Sequence, residues 1–164
     1  MISQEYLKSQ LSYCSETGMF TWKVSKKGQS RKDAGYTRKD GYIKIVIDQV
    51  RYLAHRLAFF YEHGYLPKYI DHINGNPSDN RICNLREATI SQNGINKPLQ
   101  SNNKSGYKGV YWNKSHNKWM ARININNKTV FLGLFDDLNN AAYAYKNAAI
   151  ELHGNFINNN GVIQ

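Results

Sequence analysis

Asp71 and His72 form the strongest candidate for a catalytic pair in this sequence, and Asn84 and Asn93 follow a short distance downstream. A neutral histidine can remove a proton from water, and carboxylate and amide oxygens are ligands for a hard divalent cation. Such a set could drive a hydrolysis in which the cation stabilises charge on the leaving oxygen. Neighbouring strand residues point to opposite faces, so Asp71 and His72 can cooperate only where the strand end twists or a second element wraps around it.

The segment around this pair predicts a strand, a polar loop, a second strand and a helix. The predicted bounds are 69–73 and 85–88 for the strands, 74–81 for the loop and about 90–97 for the helix. Thr89 and Gln92 have the spacing of a capping box, which opens a helix. Asn93 then falls in the first turns, where the helix dipole favours a phosphate and an amide oxygen could join Asp71 on a metal. For Asp71 and His72 alone, the alternative is a plain hairpin.

The chain before this motif predicts a scaffold of short elements. They are a helix at 4–12, a strand at 19–24, a hairpin of strands 41–47 and 50–54, and a helix at 55–63 that Gly64 ends. The basic segment 25–40 between them is interpreted as a loop.

The net charge of +10 predicts a polyanionic partner, and the position of the charge is more informative than its total. No acidic residue occurs between Glu87 and Asp136, and Asp33 is the one acidic residue in the segment 23–39. The basic residues of these stretches are Lys23, Lys26, Lys27, Arg31, Lys32, Arg38, Lys39, Lys97, Lys104, Lys108, Lys114, Lys118, Arg122 and Lys128. One-signed stretches suit a phosphate backbone, whose counterions they release. The alternative is a solvated face that aids solubility.

The cysteines and the N-terminus exclude several classes of protein. Cys14 and Cys83 have no close partner, which argues against a disulfide framework or a structural zinc site. The first residues lack an apolar run, so no signal peptide is expected, and no segment has the length of a membrane span. We therefore expect no membrane partner and a cytoplasmic location.

The motif resembles the ββα-metal active site of HNH endonucleases, in particular those of the phage and intron homing type. The residues that carry the resemblance are Asp71–Asn76, Asp79–Arg81, Asn84–Arg86, Thr89, Gln92 and Asn93, preceded by Tyr52, His55–Ala58, Gly64 and Pro67. It covers roughly residues 13–96. The resemblance implies that His72 is the general base, that Asp71 and Asn93 bind the metal, and that Asn84 orients the His72 ring.

Two departures from the wider family refine this expectation. The last metal-binding position, often histidine, is Asn93 here, which implies Mg²⁺ or Mn²⁺. The zinc-binding cysteine pairs of some relatives are missing, so core packing must hold the site together.

His55 is either a buried hydrogen-bonding residue or a phosphate contact. Phosphate contacts are also expected from Arg56 and from Lys26, Lys27 and Arg31 of the basic loop.

The C-terminal part predicts a three-stranded antiparallel sheet covered by one helix. The strands are expected at 107–112, 118–125 and 129–134, and Asp137 caps a helix with alanines at helical spacing. Alternation places Trp119 and Ala121 on the helix-facing side of the middle strand and Arg122 and Asn124 on the other. That open face could enter a major groove, where Arg122 could read guanine and Asn124 adenine; the alternative is a merely solvated face.

This part resembles the plant ethylene-response-factor DNA-binding domain, the AP-two type, over essentially residues 106–158. The residues that carry the resemblance include Tyr107–Val110, Lys118, Trp119, Leu132, Gly133, Ala141, Ala142, Tyr145 and Asn158. It implies a reading face of Tyr111, Asn113, Arg122, Asn124, Thr129 and Phe131, with Lys114 and Lys118 on the phosphates. The plant domains carry several arginines on this face, and here Arg122 alone remains, so their target sequence does not transfer.

Together these patterns predict an α+β protein with an HNH nuclease domain at 1–96 (core motif 69–96), a linker at 97–106, a DNA-binding domain at 107–158 and a tail at 159–164. The expected function is a metal-dependent endonuclease of the homing type acting on double-stranded DNA, as a monomer or a homodimer. The rival hypothesis is a DNA-binding regulator with an inactive nuclease scaffold. The resemblance also implies the cytosol of a bacterial or phage-infected cell.

Overall fold

The structure, a computed structural model, describes residues 2–23, 33–96, 99, 101–125 and 128–153. The chain divides into two compact units, 1–88 and 89–164. The linker expected at 97–106 begins beyond this division, and the bounds predicted for the two domains stay a prediction. The expected α+β class is confirmed, because both units combine helices with antiparallel sheets.

The first unit begins with helix α1 (Gln4–Gln10), whose N-terminus is capped by the Ser3 hydroxyl accepting from the Tyr6 amide at 3.1 Å. Strands β1 (Leu11–Cys14) and β2 (Met19–Trp22) pair antiparallel. The helix is confirmed, but it ends at Gln10 because the chain turns extended at Leu11 to pair with β2.

A three-stranded sheet and a helix complete the scaffold. The strands are β3 (Tyr36–Thr37), β4 (Ile43–Ile47) and β5 (Val50–Leu53), in the order β3-β4-β5. Helix α2 (Ala54–His63) follows and ends at Gly64, whose φ of 74° suits glycine. The hairpin and this helix are confirmed. The loop expected at 25–40 is wrong for its last part, since Tyr36 pairs with Lys44 across the sheet.

The last elements of the first unit carry the motif. Strand β6 (Ile70–His72) pairs antiparallel with β7 (Leu85–Glu87), and a 3₁₀ turn at Ile82–Asn84 leads into β7. The core beneath them consists mainly of Leu7, Leu11, Phe20, Ile45, Ile47, Ala54, Leu57, Ala58, Phe59, Ile70 and Leu85. Side chains from both ends of the unit therefore share one core, which holds the β6–β7 pair in place.

The second unit contains helix α3 (Ile90–Asn96), a sheet of β8 (Val110–Asn113), β9 (Lys118–Ile125) and β10 (Lys128–Phe135), and helix α4 (Leu138–His153). The sheet order is β10-β9-β8, and α4 packs on it through Ala141 and Ala142. As expected, Asp137 caps α4 by accepting from the Asn140 amide at 3.0 Å. The first strand starts later than predicted, at Val110.

Gly109 explains why this sheet and helix can approach so closely. Its φ is 67°, and a Cβ atom there would overlap the Tyr145 ring on α4 and the carbonyl oxygen of Arg122 on β9. Only glycine satisfies both constraints at this position.

Candidate active site and nucleic-acid interface

Asp71 and His72 lie on β6, and both are buried, with 7% and 6% of their surface exposed. The register of the strand pair places Asp71 opposite Arg86 and His72 opposite Leu85. Because neighbouring strand residues point to opposite faces, each of the two meets a different set of neighbours. These neighbours determine what each side chain can do.

The Asp71 carboxylate forms an ion pair with Arg86. Its Oδ2 accepts from the Arg86 Nε at 2.9 Å and from Nη2 at 2.7 Å, and both side chains are largely buried. Arg86 belongs to the sequence motif, but the sequence alone does not assign it a role. Antiparallel pairing of residues 70–72 with 85–87 places Asp71 directly opposite Arg86. Such an oppositely charged cross-strand pair is the signal that could have identified Arg86 from the sequence. Arg86 holds this carboxylate in one orientation.

The His72 imidazole is in a setting that keeps it neutral. Burial lowers the pKa of His72, while the Asn80 side chain and nearby carboxylates of Asp71 and Asp79 act in the opposite direction without reversing the shift. A histidine with a lowered pKa is neutral near pH 7, as a proton acceptor must be. Its Nε2 lies 3.5 Å from the Oδ1 of Asn80, which is 1% exposed.

Asn84 has a different role from the expected one. Its Oδ1 accepts from the Asn74 amide at 3.0 Å, and its Nδ2 donates to Asn74 Oδ1 at 3.0 Å and to the Asp79 carbonyl at 2.8 Å. The expectation that Asn84 orients the His72 ring is therefore corrected. Its amide closes the loop after β6, because the 3₁₀ turn points it there, and Asn80 is the asparagine beside the ring.

A cluster of hydrogen bonds makes this loop rigid. Asp79 accepts from Asn74 Nδ2 at 2.7 Å and from Arg81 Nε at 2.8 Å, and it forms an ion pair with Arg81 at 2.6 Å. The hydrogen bond from Arg81 is the main cause that lowers the pKa of Asp79 to about 2. The segment that delivers Asn80 to the His72 ring is thus fixed at both ends.

His55 and Tyr42 lie against the His72 ring. The centroid of the His55 ring lies 5.0 Å from that of His72, and the Tyr42 centroid lies 5.8 Å from it. Burial, with the nearby His72 and Arg56, lowers the pKa of His55 to about 3, so the ring is neutral. Its Nδ1 is buried and has no hydrogen-bond partner within the described part of the chain. The His55 ring packs on the His72 ring, and the hydrogen-bonding and phosphate roles considered for His55 stay predictions.

The remaining residues expected at this site are only partly placed. Arg56 donates to the carbonyls of Lys68 and Pro67 at 3.4 and 3.3 Å, and its phosphate contact stays a prediction. Lys26, Lys27 and Arg31 lie outside the described residues.

Asn93 lies on α3, in the second unit, and its side chain is half-buried. The capping box before it is confirmed, with Thr89 N donating to Gln92 Oε1 at 2.7 Å and Gln92 N to Thr89 Oγ1 at 3.2 Å. The joint role of Asn93 with Asp71 stays a prediction.

The predicted metal ligands, the Asp71 carboxylate and the Asn93 amide oxygen, are of the kind that a hard cation binds. Among the residues that the structure describes, no three His, Cys, Asp or Glu side chains group as a metal site. One carboxylate with amide oxygens would not form such a group, and it suits Mg²⁺ or Mn²⁺, which keep waters and bind phosphate oxygens. Arg86 contacts the Oδ2 atom of Asp71, which presets the orientation of the carboxylate. The same set does not fit zinc, which prefers nitrogen and sulfur.

In the second unit, the predicted reading face is the exposed face of the sheet. Arg122 lies over the Tyr111 ring, 4.6 Å from its centroid, and is directly opposite Phe131 on β10. Thr129 donates its hydroxyl hydrogen to Asn124 Oδ1 at 2.7 Å. The predicted alternation is confirmed, since Ala121 and Ile123 are buried while Arg122 and Asn124 are exposed. Arg122 and Asn124 are each braced by a neighbour on this face.

A groove of about 1250 Å³ in this unit gathers part of the predicted set. Five predicted residues line it, namely Tyr111, Lys114, Arg122, Asn124 and Thr129, together with Trp112 and Lys104, which sequence reasoning did not place on this face. Asn113 instead accepts at Oδ1 from the Ser115 and His116 amides and shapes the β8–β9 turn.

Two of the lysines expected at phosphates have partners within the protein. Lys118 forms an ion pair with Asp136 at 3.0 Å, on the exposed surface. Lys108 is half-buried and donates from Nζ to the Ile95 carbonyl at 2.8 Å, and burial lowers its pKa. The expectation that Lys108 supplies phosphate affinity is corrected, because its ammonium is held against the C-terminal turn of α3. For Lys118 the phosphate contact stays a prediction.

Comparison with known families defines the class of this protein. The family model described as HNH endonuclease matches residues 52–95, and the AP2 domain model matches residues 105–155. The two matches cover the β6–β7–α3 segment and the β8–α4 segment, in that order. Every helix in the described part of the chain is too short or too polar to span a lipid bilayer.

Two curated relatives extend the comparison. The chain is 37% identical over 95 residues to Protein 3.8 of Escherichia phage T7, over 57% of this chain and 78% of that protein. It is 33% identical over 124 residues to an uncharacterized HNH endonuclease of Acanthamoeba polyphaga mimivirus, over 74% of this chain and 63% of the relative. The chain belongs to the HNH endonuclease family and carries an AP2 domain after its HNH domain.

Proposed function

We propose that this protein is a metal-dependent DNA endonuclease in which His72 is the general base. The observation that carries the proposal is a buried imidazole, neutral near pH 7, next to a buried aspartate on the same strand. A base of this kind serves hydrolysis, in which an attacking water must lose a proton. The membership of the chain in the HNH endonuclease family supports the same reaction.

Asp71 and Asn93 are the proposed metal ligands, and Mg²⁺ or Mn²⁺ is the proposed ion. Such a cation, when bound, supplies positive charge to the scissile phosphate and to the leaving 3′ oxygen. Arg86 orients Asp71, and Asn84 closes the loop that follows His72. His72 takes the proton of the attacking water, and its burial excludes competing protonation near neutral pH.

The AP2 domain is proposed to choose where on duplex DNA the cut falls. Arg122 and Asn124 project from the exposed sheet face, where they suit guanine and adenine edges in a major groove. Lys114 and Lys118 supply phosphate affinity, as do Arg56 and the basic residues Lys26, Lys27 and Arg31. This division of labour supports a site-preferring enzyme of the homing type.

One active site per chain cuts one strand, so a monomer would nick duplex DNA and a pair of chains could break both strands. The proposed setting is the cytosol of a bacterial cell or of a phage-infected host, in keeping with the likeness to a phage protein. The rival function, a regulator with an inactive scaffold, is not favoured, because a decayed site would not retain Asp71, His72, Asn84 and Asn93 together.

A supercoiled-plasmid assay with and without Mg²⁺ tests the proposal. Wild type should relax or linearise the plasmid only with the ion, and His72→Ala should lower the rate by about 10²- to 10⁴-fold. His63→Ala is the matched control, since His63 is exposed at the end of α2 and has no proposed role. A wild-type protein that binds DNA without cutting it would disprove the proposed endonuclease activity. Cleavage by His72→Ala at the wild-type rate would disprove His72 as the base.

A further inference from the structure

We propose that Phe131 reads a thymine methyl group, so that the sheet face of the second unit prefers sites in which A·T pairs predominate. This inference rests on the proposed function, in which that face contacts duplex DNA. It goes beyond it by naming the class of base pair that the face selects and the side chain that selects it.

Phe131 is part of a small apolar cluster on the exposed side of the sheet. It lies on β10 directly opposite Arg122 of β9, and 61% of its surface is exposed. The Tyr111 ring, which is 43% exposed, lies on the β8 side of the same arginine, 4.6 Å from the guanidinium carbon. Two exposed rings therefore flank one cation. Apolar groups that cluster on a surface mark an interaction site, whereas single ones need no explanation.

The charge around this face indicates that its occupant is a polyanion. Lys104, Lys114 and Lys128 are exposed in this unit, and the first two line its groove. No acidic residue occurs between Glu87 and Asp136. A protein partner would need acidic side chains to match this charge. A DNA duplex supplies phosphates on both rims of the major groove and base edges between them, so the combination of cations and rings fits a duplex.

The floor of the major groove offers an apolar ring one kind of partner. Guanine, cytosine and adenine present hydrogen-bond donors and acceptors there, whereas thymine adds a C5 methyl group. A ring laid against the polar edge of a G·C pair removes water from that edge without replacing its hydrogen bonds, which costs free energy. Against a methyl group, the same ring buries apolar surface on both partners. Phe131 therefore favours T·A over G·C pairs.

Asn124 adds a second preference for A·T pairs. Thr129 donates to its Oδ1 at 2.7 Å, which uses one of the two acceptor positions of that oxygen. The other position and the Nδ2 donor match the N6 and N7 edge of adenine. Of the side chains Phe131, Asn124 and Arg122, only Arg122 suits guanine. The expected site therefore consists mainly of A·T pairs around one G·C pair.

Strand geometry sets the distances between these contacts. Residues two apart in a strand are about 6.6–6.8 Å from each other, and base pairs are stacked about 3.4 Å apart. For a strand lying along the groove, Arg122 and Asn124 reach base pairs about two steps apart. Phe131 is the direct cross-strand neighbour of Arg122, at a typical Cβ separation of about 5 Å. Its thymine is therefore expected one or two pairs from the guanine.

Replacing thymine by uracil in the bound duplex tests the inference, because uracil lacks only the methyl group. The full chain first selects duplexes from a random pool without divalent metal, so that none is cut. We expect these duplexes to be rich in A·T pairs around one G·C pair. At the thymine that Phe131 contacts, uracil should weaken binding by about 3- to 10-fold. Equal affinity for thymine and uracil at every position would overturn the inference without any variant.

Three variants locate the effect. Phe131→Ala should bind thymine and uracil duplexes equally while keeping the preference for the one G·C pair, and its exposure means that the fold should survive. Phe131→Leu keeps an apolar contact and should retain part of the discrimination. Val130→Ala is the matched control, because Val130 is 40% exposed on the same strand but lies opposite the buried Ile123. Discrimination that survives Phe131→Ala, or that Val130→Ala abolishes equally, would disprove the role of Phe131.

The outcomes separate this inference from the proposed function. A wild-type protein that favours thymine over uracil but cuts no plasmid with Mg²⁺ would leave the Phe131 contact standing and refute the endonuclease. A wild-type protein that cuts with Mg²⁺ yet binds the two kinds of duplex equally would refute the Phe131 contact alone.

Discussion

The two units of this molecule treat their polar side chains in opposite ways. In the first, Asp71, His72 and Asn80 are buried, and each is held by a defined neighbour. In the second, Arg122 and Asn124 are exposed on a sheet face and braced only from the side. Catalysis needs groups that are positioned before the substrate arrives, whereas recognition needs donors that can reach a base edge. The difference supports the proposed division of labour, in which the first unit cuts DNA and the second selects the site.

The Asp71–Arg86 pair offers the sharpest way to separate folding from catalysis. Asp71→Ala should lower cleavage by more than about 100-fold and also destabilise the fold by about 1–3 kcal/mol, because a buried guanidinium loses its partner. The double variant Asp71→Ala/Arg86→Met should recover most of the stability and none of the cleavage. Urea unfolding and plasmid cleavage measure the two effects. Recovered cleavage in the double variant would show that Asp71 is structural only.

Arg122→Ala tests whether the exposed face selects the cut site. Loss of a base-reading arginine should weaken discrimination between sites by about 1–3 kcal/mol. Mapping cuts along a long duplex should therefore show redistributed positions with a similar total rate. Lys146→Ala is the control, since Lys146 lies on α4, away from the sheet face. An unchanged map would remove the reading role from this face.

The lowered pKa of His55 should make the free energy of unfolding depend on pH. Its folded pKa of about 3 lies below the ordinary histidine value of 6.5, so the unfolded chain binds the proton first as the pH falls. The stabilisation is fully present above 6.5 and is lost toward pH 3, by at most about 1.4 kcal/mol per pH unit. His55→Phe removes this contribution. The lowered pKa of His72 contributes in the same direction in both the wild type and the variant.

Urea unfolding of wild type and His55→Phe at about pH 7.5 and about pH 5 measures that contribution. We expect the free energy of unfolding to fall less in the variant between the two conditions. Equal falls in the two proteins would mean that the His55 ring is protonated in the folded state.

The smallest expected effect concerns Thr129, which fixes the Asn124 amide. Thr129→Val should cost about 0.5–1.5 kcal/mol of preference at the position that Asn124 contacts, because one orienting hydrogen bond is lost. Competition binding with duplexes changed at single positions measures it. Thr37→Val, on the short strand β3, is the matched control. Equal preferences in the two variants would show that Asn124 needs no brace.

Periodicity and capping made most of the fold predictable from sequence. The 43–47 and 50–53 hairpin, the end of α2 at Gly64 and the alternation of β9 follow from local patterns. The strand at Leu11–Cys14 was missed because four residues after a helix carry little pattern of their own. The sequence of a segment predicts its own helix or strand, but it does not predict which other strand will pair with it.

The candidate site was predictable as a set of residue types but not as a set of contacts. Arg86 meets Asp71 because of the strand register, which depends on the path of the intervening loop. Asn80 and Asn84 are both asparagines of that loop, and the 3₁₀ turn determines which one faces His72. Motif spacing identifies the participants, whereas their partners come from tertiary structure.

The decisive experiment separates DNA cutting, proposed for the buried site, from DNA binding, proposed for the exposed sheet face. Cleavage and duplex binding are followed in parallel, with Mg²⁺, for wild type and His72→Ala. We expect His72→Ala to lose about 10²- to 10⁴-fold in cleavage rate while its affinity for duplex DNA stays at the wild-type level. Cleavage that survives the substitution, with affinity unchanged, would contradict the catalytic role of the buried site.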